Sequence, residues 1–315
     1  MIRIAVVGTG IIGLSHLKAI QNTGVCTLCA VCDINEAKVK EIAEQYQVPY
    51  FTDYHEIVKQ VDVDAVILNL PHYLHCESTI FFLEHGIHVL VEKPMANTVD
   101  ECQQMIVAAE ENNRKLAVGH VQRYYKANLF VKEAIETGKY GSLCMINGTR
   151  SINYFNDARP KWFLDKALAG GGIGMNYGAH ALDTLFYVTG ETMPEVISNF
   201  GNYKTGHDIE GHVQFMLRFP DGLSMCETLS GYNLSGHEVV YYFTEGVLKV
   251  RDGFELFQIT DDGWKMIEIG EDGATLERQL IDFVNYLQDK PNMICDGLGG
   301  KAVISVIEEM YKIGS

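Results

Sequence analysis

Three short stretches of the chain combine residue types and spacings that can do chemistry. The first is Gly8-Thr9-Gly10-Ile11-Ile12-Gly13, which follows the apolar run Ile2–Val7 and opens a helical pattern. In a strand–turn–helix setting the first glycine permits the tight turn and the second lets backbone approach a pyrophosphate. The third lets helix pack on strand, and the helix N-terminus faces the anion. Asp33 lies 20 residues beyond Gly13, at the end of the second apolar run, where a carboxylate can accept hydrogen bonds from ribose hydroxyls. It would repel a 2′-phosphate, and neither Ile34 nor Asn35 offers a compensating cation, so NAD is favoured over NADP.

The second stretch, Glu92-Lys93-Pro94, puts a lysine at the carboxyl end of the run His88–Val91, the edge where open α/β sheets bind ligands. Spacing alone leaves open whether Lys93 works there or pairs with Glu92 on the surface. In the third, Asn176, His180 and Asp183 stand at i, i+4 and i+7 after Gly170-Gly171-Gly172, and therefore share one helix face. Leu182, Leu185, Phe186 and Val188 supply apolar surface for burial, and Gly190 is a plausible C-cap.

The elements that must hold these groups follow from periodicity. Apolar runs at Ile2–Val7, Thr27–Cys32, Ala65–Leu70, His88–Val91 and Lys115–Gly119 alternate with helical patterns at about Ile12–Asn22, Glu36–Tyr46, Tyr73–His85 and Val99–Asn112. That rhythm predicts a doubly wound parallel sheet of Rossmann type over residues 1–121. Beyond it a helix near Ala127–Thr137 and a long strand Leu143–Tyr154 precede several alternating segments between Glu195 and Ile269, punctuated by Asp221-Gly222, Glu245-Gly246 and Asp252-Gly253. These predict an α+β second domain, residues 122–315, with a largely antiparallel open sheet; the last segments, Thr275–Leu287 and Leu298–Lys312, read as helices, the final one of which could pack back on the first domain.

A length of 315 residues, 47% hydrophobic and 21% charged, suits two folded cores. The net charge of −16 repels phosphate backbones and anionic lipid, which disfavours nucleic-acid and membrane partners and favours small molecules. Eight scattered cysteines in a chain of this size fit reduced thiols, and the N-terminus lacks a signal-peptide pattern, so a cytoplasmic protein is expected. Cys26, Cys29 and Cys32 lie along one strand without a converging fourth ligand, so no metal site is expected.

The sequence resembles the Gfo/Idh/MocA family of sugar and inositol dehydrogenases over essentially its whole length. The resemblance is carried by Gly8–Gly13, by the Leu70-Pro71-His72-Tyr73-Leu74-His75 turn, by Glu92-Lys93-Pro94, and by Gly170-Gly171-Gly172 followed by Asn176, Gly178, His180 and Asp183. It implies a Rossmann domain joined to a substrate domain whose open sheet often supports homo-oligomers. It also implies that Lys93 sits near the nicotinamide and the reacting oxygen, with Leu70, Pro71, His75 and Glu92 lining the cofactor site; His75 could equally cap or pack its helix. Arg123, Tyr154 and Trp162 are implied to approach the cleft, Arg123 toward both cofactor and substrate, although a solvated arginine and a core tryptophan stay open readings.

On this reading His180 is the candidate general acid/base, because an ordinary histidine pKa of about 6.5 lets it take an alcohol proton and return it. Lys93 would stabilise alkoxide character on the same oxygen. The chain departs from the commonest family pattern at Asn176, where many members carry aspartate; asparagine can orient the imidazole or a substrate hydroxyl but cannot stabilise imidazolium as a carboxylate can. The expected function is hydride transfer between NAD and a secondary alcohol or ketone of a sugar, sugar nucleotide or cyclitol. An NAD-dependent glycosidase and a non-catalytic dinucleotide or sugar sensor are the alternatives.

Overall fold

The computed structural model describes residues 1–190, 193–204, 206–232 and 236–313. They gather into two compact units, Met1–Val121 with Ala274–Lys301, and Gln122–Gly273 with Ala302–Ser315. The contiguous second domain expected over 122–315 is thus corrected, because 274–301 groups with the first unit.

In chain order the first unit begins β1 (Ile2–Val7), α1 (Ile11–Thr23), β2 (Cys26–Cys32), α2 (Glu36–Tyr46), β3 (Tyr50–Phe51), α3 (Ile57–Gln60), β4 (Ala65–Leu68), α4 (His75–Glu84), β5 (His88–Glu92), α5 (Val99–Glu111) and β6 (Leu116–Gly119). The second unit contributes α6 (Lys126–Glu136), β7 (Leu143–Ser151), α7 (Lys166–Ala169), α8 (Ile173–Thr189) and β8 (Glu195–Asn202). It continues through β9 (His212–Arg218), β10 (Ser224–Ser230), β11 (Gly236–Phe243), β12 (Gly246–Arg251), β13 (Glu255–Thr260) and β14 (Gly263–Ile267). The chain then forms α9 (Thr275–Leu287), β15 (Cys295–Asp296) and α10 (Gly297–Ile313).

The first sheet runs β15-β6-β5-β4-β1-β2-β3, parallel except for β15. Its central strands are uninterrupted apolar runs because both faces are covered: Ile4–Val7, Ala65–Leu68 and Val89–Val91 are all buried. Each valine, leucine or isoleucine among them contributes roughly 1.5–3 kcal/mol on burial. Strand order reverses between β1 and β4, which makes the carboxyl ends there the expected ligand crevice. Residues 274–301 complete this unit through two contacts: α9 packs on α1, with Asn22 Nδ2 donating to Glu277 Oε1 at 2.6 Å, and β15 pairs with β6.

The second sheet runs β14-β13-β12-β11-β7-β10-β9-β8 and is antiparallel except for the β7–β10 pair. Alternation is strict on β9 and β10: Val213, Phe215, Leu217, Met225 and Leu229 are buried on the face covered by α8. No helix among the described residues is long and apolar enough to cross a membrane.

Candidate functional site

In the first unit, the glycine turn is built by backbone crowding. Gly8 has φ +84°, and a Cβ there would lie 2.4 Å from the Asn69 carbonyl oxygen; a Cβ on Gly13 would lie 2.1 Å from that of Gly8. Gly10 differs, since a Cβ there would meet nothing within 4 Å. It is the N-cap of α1 and supplies no side-chain cap, and the first turn carries no acidic residue. The start of α1 is thus left without a capping side chain and with clear space beside Gly10, the conditions under which an anionic pyrophosphate can approach a helix N-terminus. Ile11 is 91% exposed beside it, Ile12 is partly exposed, and Thr9 is fully buried.

Thr9 is buried because Asp33 holds it. Asp33 Oδ2 accepts from the Thr9 backbone N–H at 2.8 Å and from its hydroxyl at 2.7 Å, while Oδ1 accepts from Asn35 N at 3.0 Å. Lys38 Nζ donates to the Thr9 carbonyl at 2.5 Å. Burial alone would raise the Asp33 pKa, but the bonds from Asn35 and Thr9 hold it below the ordinary carboxylate value. Asp33 thus joins β2 to the glycine turn and stays ionised, with carboxylate lone pairs still able to meet a ribose.

At the end of β5, Glu92 accepts from His16 Nε2 at 3.0 Å and from the Lys93 backbone N–H at 3.2 Å. Burial would raise its pKa; the His16 and Lys93 contacts bring it below the ordinary value instead. Glu92 is therefore occupied inside the protein, and Lys93, half-buried, follows it at the strand's carboxyl end, before a cis Lys93–Pro94 bond. His75 is fully buried, with Nδ1 2.8 Å from the Pro94 carbonyl oxygen and Nε2 2.8 Å from that of Leu70. Two carbonyls call for two ring N–H groups, whereas burial lowers the pKa; whichever nitrogen holds the proton, the ring is consumed in joining the Leu70-Pro71 turn to the Lys93-Pro94 turn. The expectation that His75 lines the cofactor site is corrected accordingly: it positions two turns. Leu70 and Pro71 are half-buried at the carboxyl end of β4.

In the second unit, the polar face of α8 is set by long-range contacts. The helix starts at Gly172 without a side-chain N-cap from its own segment. Buried Glu210 supplies the cap, accepting from Gly172 N at 2.9 Å and Gly174 N at 2.7 Å, and Tyr311 donates its hydroxyl to Glu210 at 2.8 Å. The glycines make room for this: a Cβ on Gly171 would lie 2.0 Å from the Tyr311 hydroxyl, and one on Gly172 would lie 2.1 Å from the Glu210 carbonyl oxygen. Glu210 and Tyr311 escape sequence reading because they are distant; the one available signal is a helix that begins on glycines with no local cap.

Along α8, buried Asn176 bonds the Tyr154 hydroxyl, and His180 lies one turn on, its ring 5.9 Å from that of Tyr177. Asp183, 1% exposed, is clasped by Arg123, whose Nε lies 3.0 and 3.1 Å from the two carboxylate oxygens and whose Nη2 lies 2.6 Å from Oδ1. The structure thus brings Asn176, His180, Asp183, Arg123 and Tyr154 together. Two expectations change. Tyr154 is fully buried, so it orients Asn176 rather than meeting substrate, and burial pushes its pKa up to about 12. Arg123 is neutralised by a buried carboxylate, so its charge serves the α8 face instead of an anionic ligand. Trp162 is half-buried and stacks on Phe163, with ring centres 3.8 Å apart.

The first unit thus carries a glycine turn with room for a pyrophosphate, and the second carries a histidine-bearing polar helix face. A family model described as "Oxidoreductase family, NAD-binding Rossmann fold" matches residues 2–120, and the GFO/IDH/MocA C-terminal domain matches residues 129–249. The chain belongs to the Gfo/Idh/MocA family, and its first unit is an NAD-binding Rossmann fold.

Among relatives, 1-carboxy-3-chloro-3,4-dihydroxycyclo hexa-1,5-diene dehydrogenase of Comamonas testosteroni is 28% identical over 245 residues, 77% of this chain and 62% of that protein. Inositol 2-dehydrogenase of Salmonella typhimurium is 27% identical over 238 residues, 74% and 66% respectively. The chain thus spans under two-thirds of the length of these curated relatives, whereas the match to D-glucoside 3-dehydrogenase of Escherichia coli, 24% identical, covers 99% of this chain and 95% of that protein. The fold is shared with the aldose-aldose oxidoreductase from Caulobacter crescentus, with a TM-score of 0.89, 24% identity and coverage of 99% and 97%.

Proposed function

We propose that the chain is an NAD-dependent dehydrogenase moving hydride between nicotinamide and a secondary alcohol or ketone of a sugar, sugar nucleotide or cyclitol. The observation that carries this reading is the α8 face, where Glu210, Tyr154 and Arg123 fix a half-buried His180 between Asn176 and Asp183. Gly8–Gly13 and Asp33 would hold the dinucleotide, which supplies the hydride acceptor or donor when bound. His180 takes the alcohol proton during oxidation and returns it in reduction. Lys93 would stabilise negative charge on a reacting oxygen, and Asn176 would orient the imidazole or a substrate hydroxyl. Relatives named inositol 2-dehydrogenase and D-glucoside 3-dehydrogenase support the substrate class. A homo-oligomer in the cytoplasm completes the proposal; the partly exposed Met145, Met216 and Phe200 on the second sheet support the first of these.

A second reading, turnover in which the cofactor is regenerated and no net NADH appears, is favoured by relatives named 2,7-anhydro-N-acetylneuraminate hydratase, one 27% identical over 251 residues. One assay separates the two. Protein and NAD are screened against sugars, inositols and sugar nucleotides while reduced-nicotinamide absorbance and substrate consumption are followed together. A rise in absorbance abolished by Lys93→Ala supports the dehydrogenase; substrate loss at constant absorbance supports the second reading.

A further inference from the structure

The second unit holds five arginines, and four are paired: Arg123 with Asp183, Arg150 with Glu227, Arg218 with Glu195, and Arg251 with Glu255. Arg159 stands apart. It is half-buried, yet among the described residues the ionisable groups acting on it are the hydroxyls of Tyr154 and Tyr177, with no carboxylate. Burial lowers its pKa, the direction expected of a cation that has lost water without gaining a counter-ion. In a chain with a net charge of −16, a partly dehydrated guanidinium left without a carboxylate is a costly arrangement.

The geometry also fixes which edge of the group is left over. Arg159 Nε donates to the Tyr154 carbonyl at 2.5 Å, and the guanidinium carbon lies 3.9 Å from the centre of the Tyr154 ring and 4.8 Å from that of Phe163. The Tyr154 and Phe163 rings are perpendicular to one another, with centres 6.4 Å apart, so they flank the guanidinium on two adjoining sides, and the Nε edge is spent on backbone. Among the described residues the Nη1–Nη2 edge makes no further hydrogen bond, and it is a pair of parallel N–H donors that matches two oxygens of one anionic group. Its neighbours tie it to the α8 face: Tyr154 bonds Asn176, and the Tyr177 ring lies 5.9 Å from that of His180. Trp162, three residues on, stacks on the same Phe163.

We propose that Arg159 is a specificity-determining residue whose Nη1–Nη2 edge receives an anionic group, a carboxylate or a phosphate, carried by the polyhydroxylated substrate. This rests on the dehydrogenase reading for the identity of the site and adds to it the charge class of the substrate. Lysine cannot reproduce a planar two-donor edge held in place by the Nε bond and the two flanking rings, so the site distinguishes the two cations.

The test compares matched ligands that differ only in charge: a hexose, the corresponding hexuronate and the corresponding hexose phosphate, assayed with NAD against wild type, Arg159→Lys and Arg159→Gln. The expected result is a higher kcat/KM for one anionic ligand than for the neutral hexose, and a fall in that anionic-to-neutral ratio of about ten- to a hundredfold in Arg159→Gln, with Arg159→Lys between. The hexuronate and phosphate arms show which anion is read. A wild type that prefers the neutral hexose, or a variant that slows all three ligands equally, overturns the proposal.

If no ligand is oxidised by wild type, the dehydrogenase reading is what has failed, and Arg159 is then judged by binding. In a Trp264→Phe background, Trp162 fluorescence is titrated with glucuronate, glucose 6-phosphate and glucose. Saturable quenching by an anion that is lost in Arg159→Gln, with far-UV circular dichroism unchanged, sustains the inference. Equal or absent responses to all three overturn it.

Discussion

The glycine turn of the first unit and the α8 face of the second reach preorganised geometry by opposite routes. The turn is made by six consecutive residues in which Gly13 crowds Gly8, with Asn69, just past the end of β4, backing Gly8 as the one distant contact of that crowding. The α8 face is assembled from distant parts of the chain: Glu210 and Tyr311 cap the helix, Arg123 clasps Asp183, and Tyr154 holds Asn176. A locally made site is specified by its own sequence and fails locally. A site made over long range depends on the fold of its whole unit, and its failure is spread.

The largest effect expected comes from the turn. Gly13→Ala drives a Cβ to within 2.1 Å of the Gly8 carbonyl oxygen, where only backbone can give way. Such overpacking costs about 3 kcal/mol or more, so calorimetry should show loss of NAD binding together with a lower Tm. Gly10→Ala sharpens the point, because its Cβ meets no protein atom and φ is −62°. The expected outcome is an unchanged Tm without ligand but NAD affinity weakened by about tenfold or more, since the methyl group occupies the space needed for close backbone approach. Equal losses of ligand-free Tm in the two variants would break the distinction between a crowded scaffold and an open cradle.

Next comes His180→Ala, expected to lower kcat by about 10²- to 10⁴-fold and to abolish its neutral-side pH dependence, as loss of a general base should. If the pH profile of kcat is retained, the proton passes to another group and the α8 face only binds. Asp183→Asn follows. It removes the carboxylate from a pair in which Asp183 is 1% exposed and Arg123 13%, leaving a buried cation uncompensated at a cost of about 3–5 kcal/mol in denaturant unfolding. A loss below about 1 kcal/mol would show that α8 is held by its cap alone.

The contrast also explains what could be read in the sequence. The Rossmann unit was legible because parallel strands buried on both faces are continuous apolar runs, and because each helix between them carries its own periodicity and often its own cap, as Asn35 caps α2 and Thr98 with Glu101 caps α5. The antiparallel sheet was legible from alternation and turn pairs. Three things were not. The return of residues 274–301 to the first unit depends on β15 pairing with β6 and α9 packing on α1, and neither pairing leaves a local trace. The work of His75 as a bridge between two carbonyls, and of Tyr154 as a buried partner for Asn176, depends on burial that spacing does not report. Glu210 acts 36 residues from the Gly174 N–H that it accepts. What sequence marks is the residue type a site needs; what it hides is the second job each residue holds in the packing.

Asp33 shows both jobs in one side chain and gives the smallest effect. Its folded pKa lies below the ordinary carboxylate value of about 3.9, so the stability it contributes is present above that value and is lost as pH falls through the folded pKa. Asp33→Asn removes this contribution. The variant should be less stable than wild type at pH 6, with the difference shrinking as both are taken toward pH 3, followed as Tm across the series. Because the group is partly exposed, solvent screening keeps the difference under about 1 kcal/mol. The same substitution removes the charge that repels a 2′-phosphate, so the preference for NAD over NADP should narrow as well. If the preference narrows while the pH dependence of Tm is untouched, the bonds to Thr9 and Asn35 contribute little and Asp33 serves the cofactor alone. If Tm changes and the preference does not, its main work lies in holding the turn, and the discrimination between the two dinucleotides falls to other residues of the cradle.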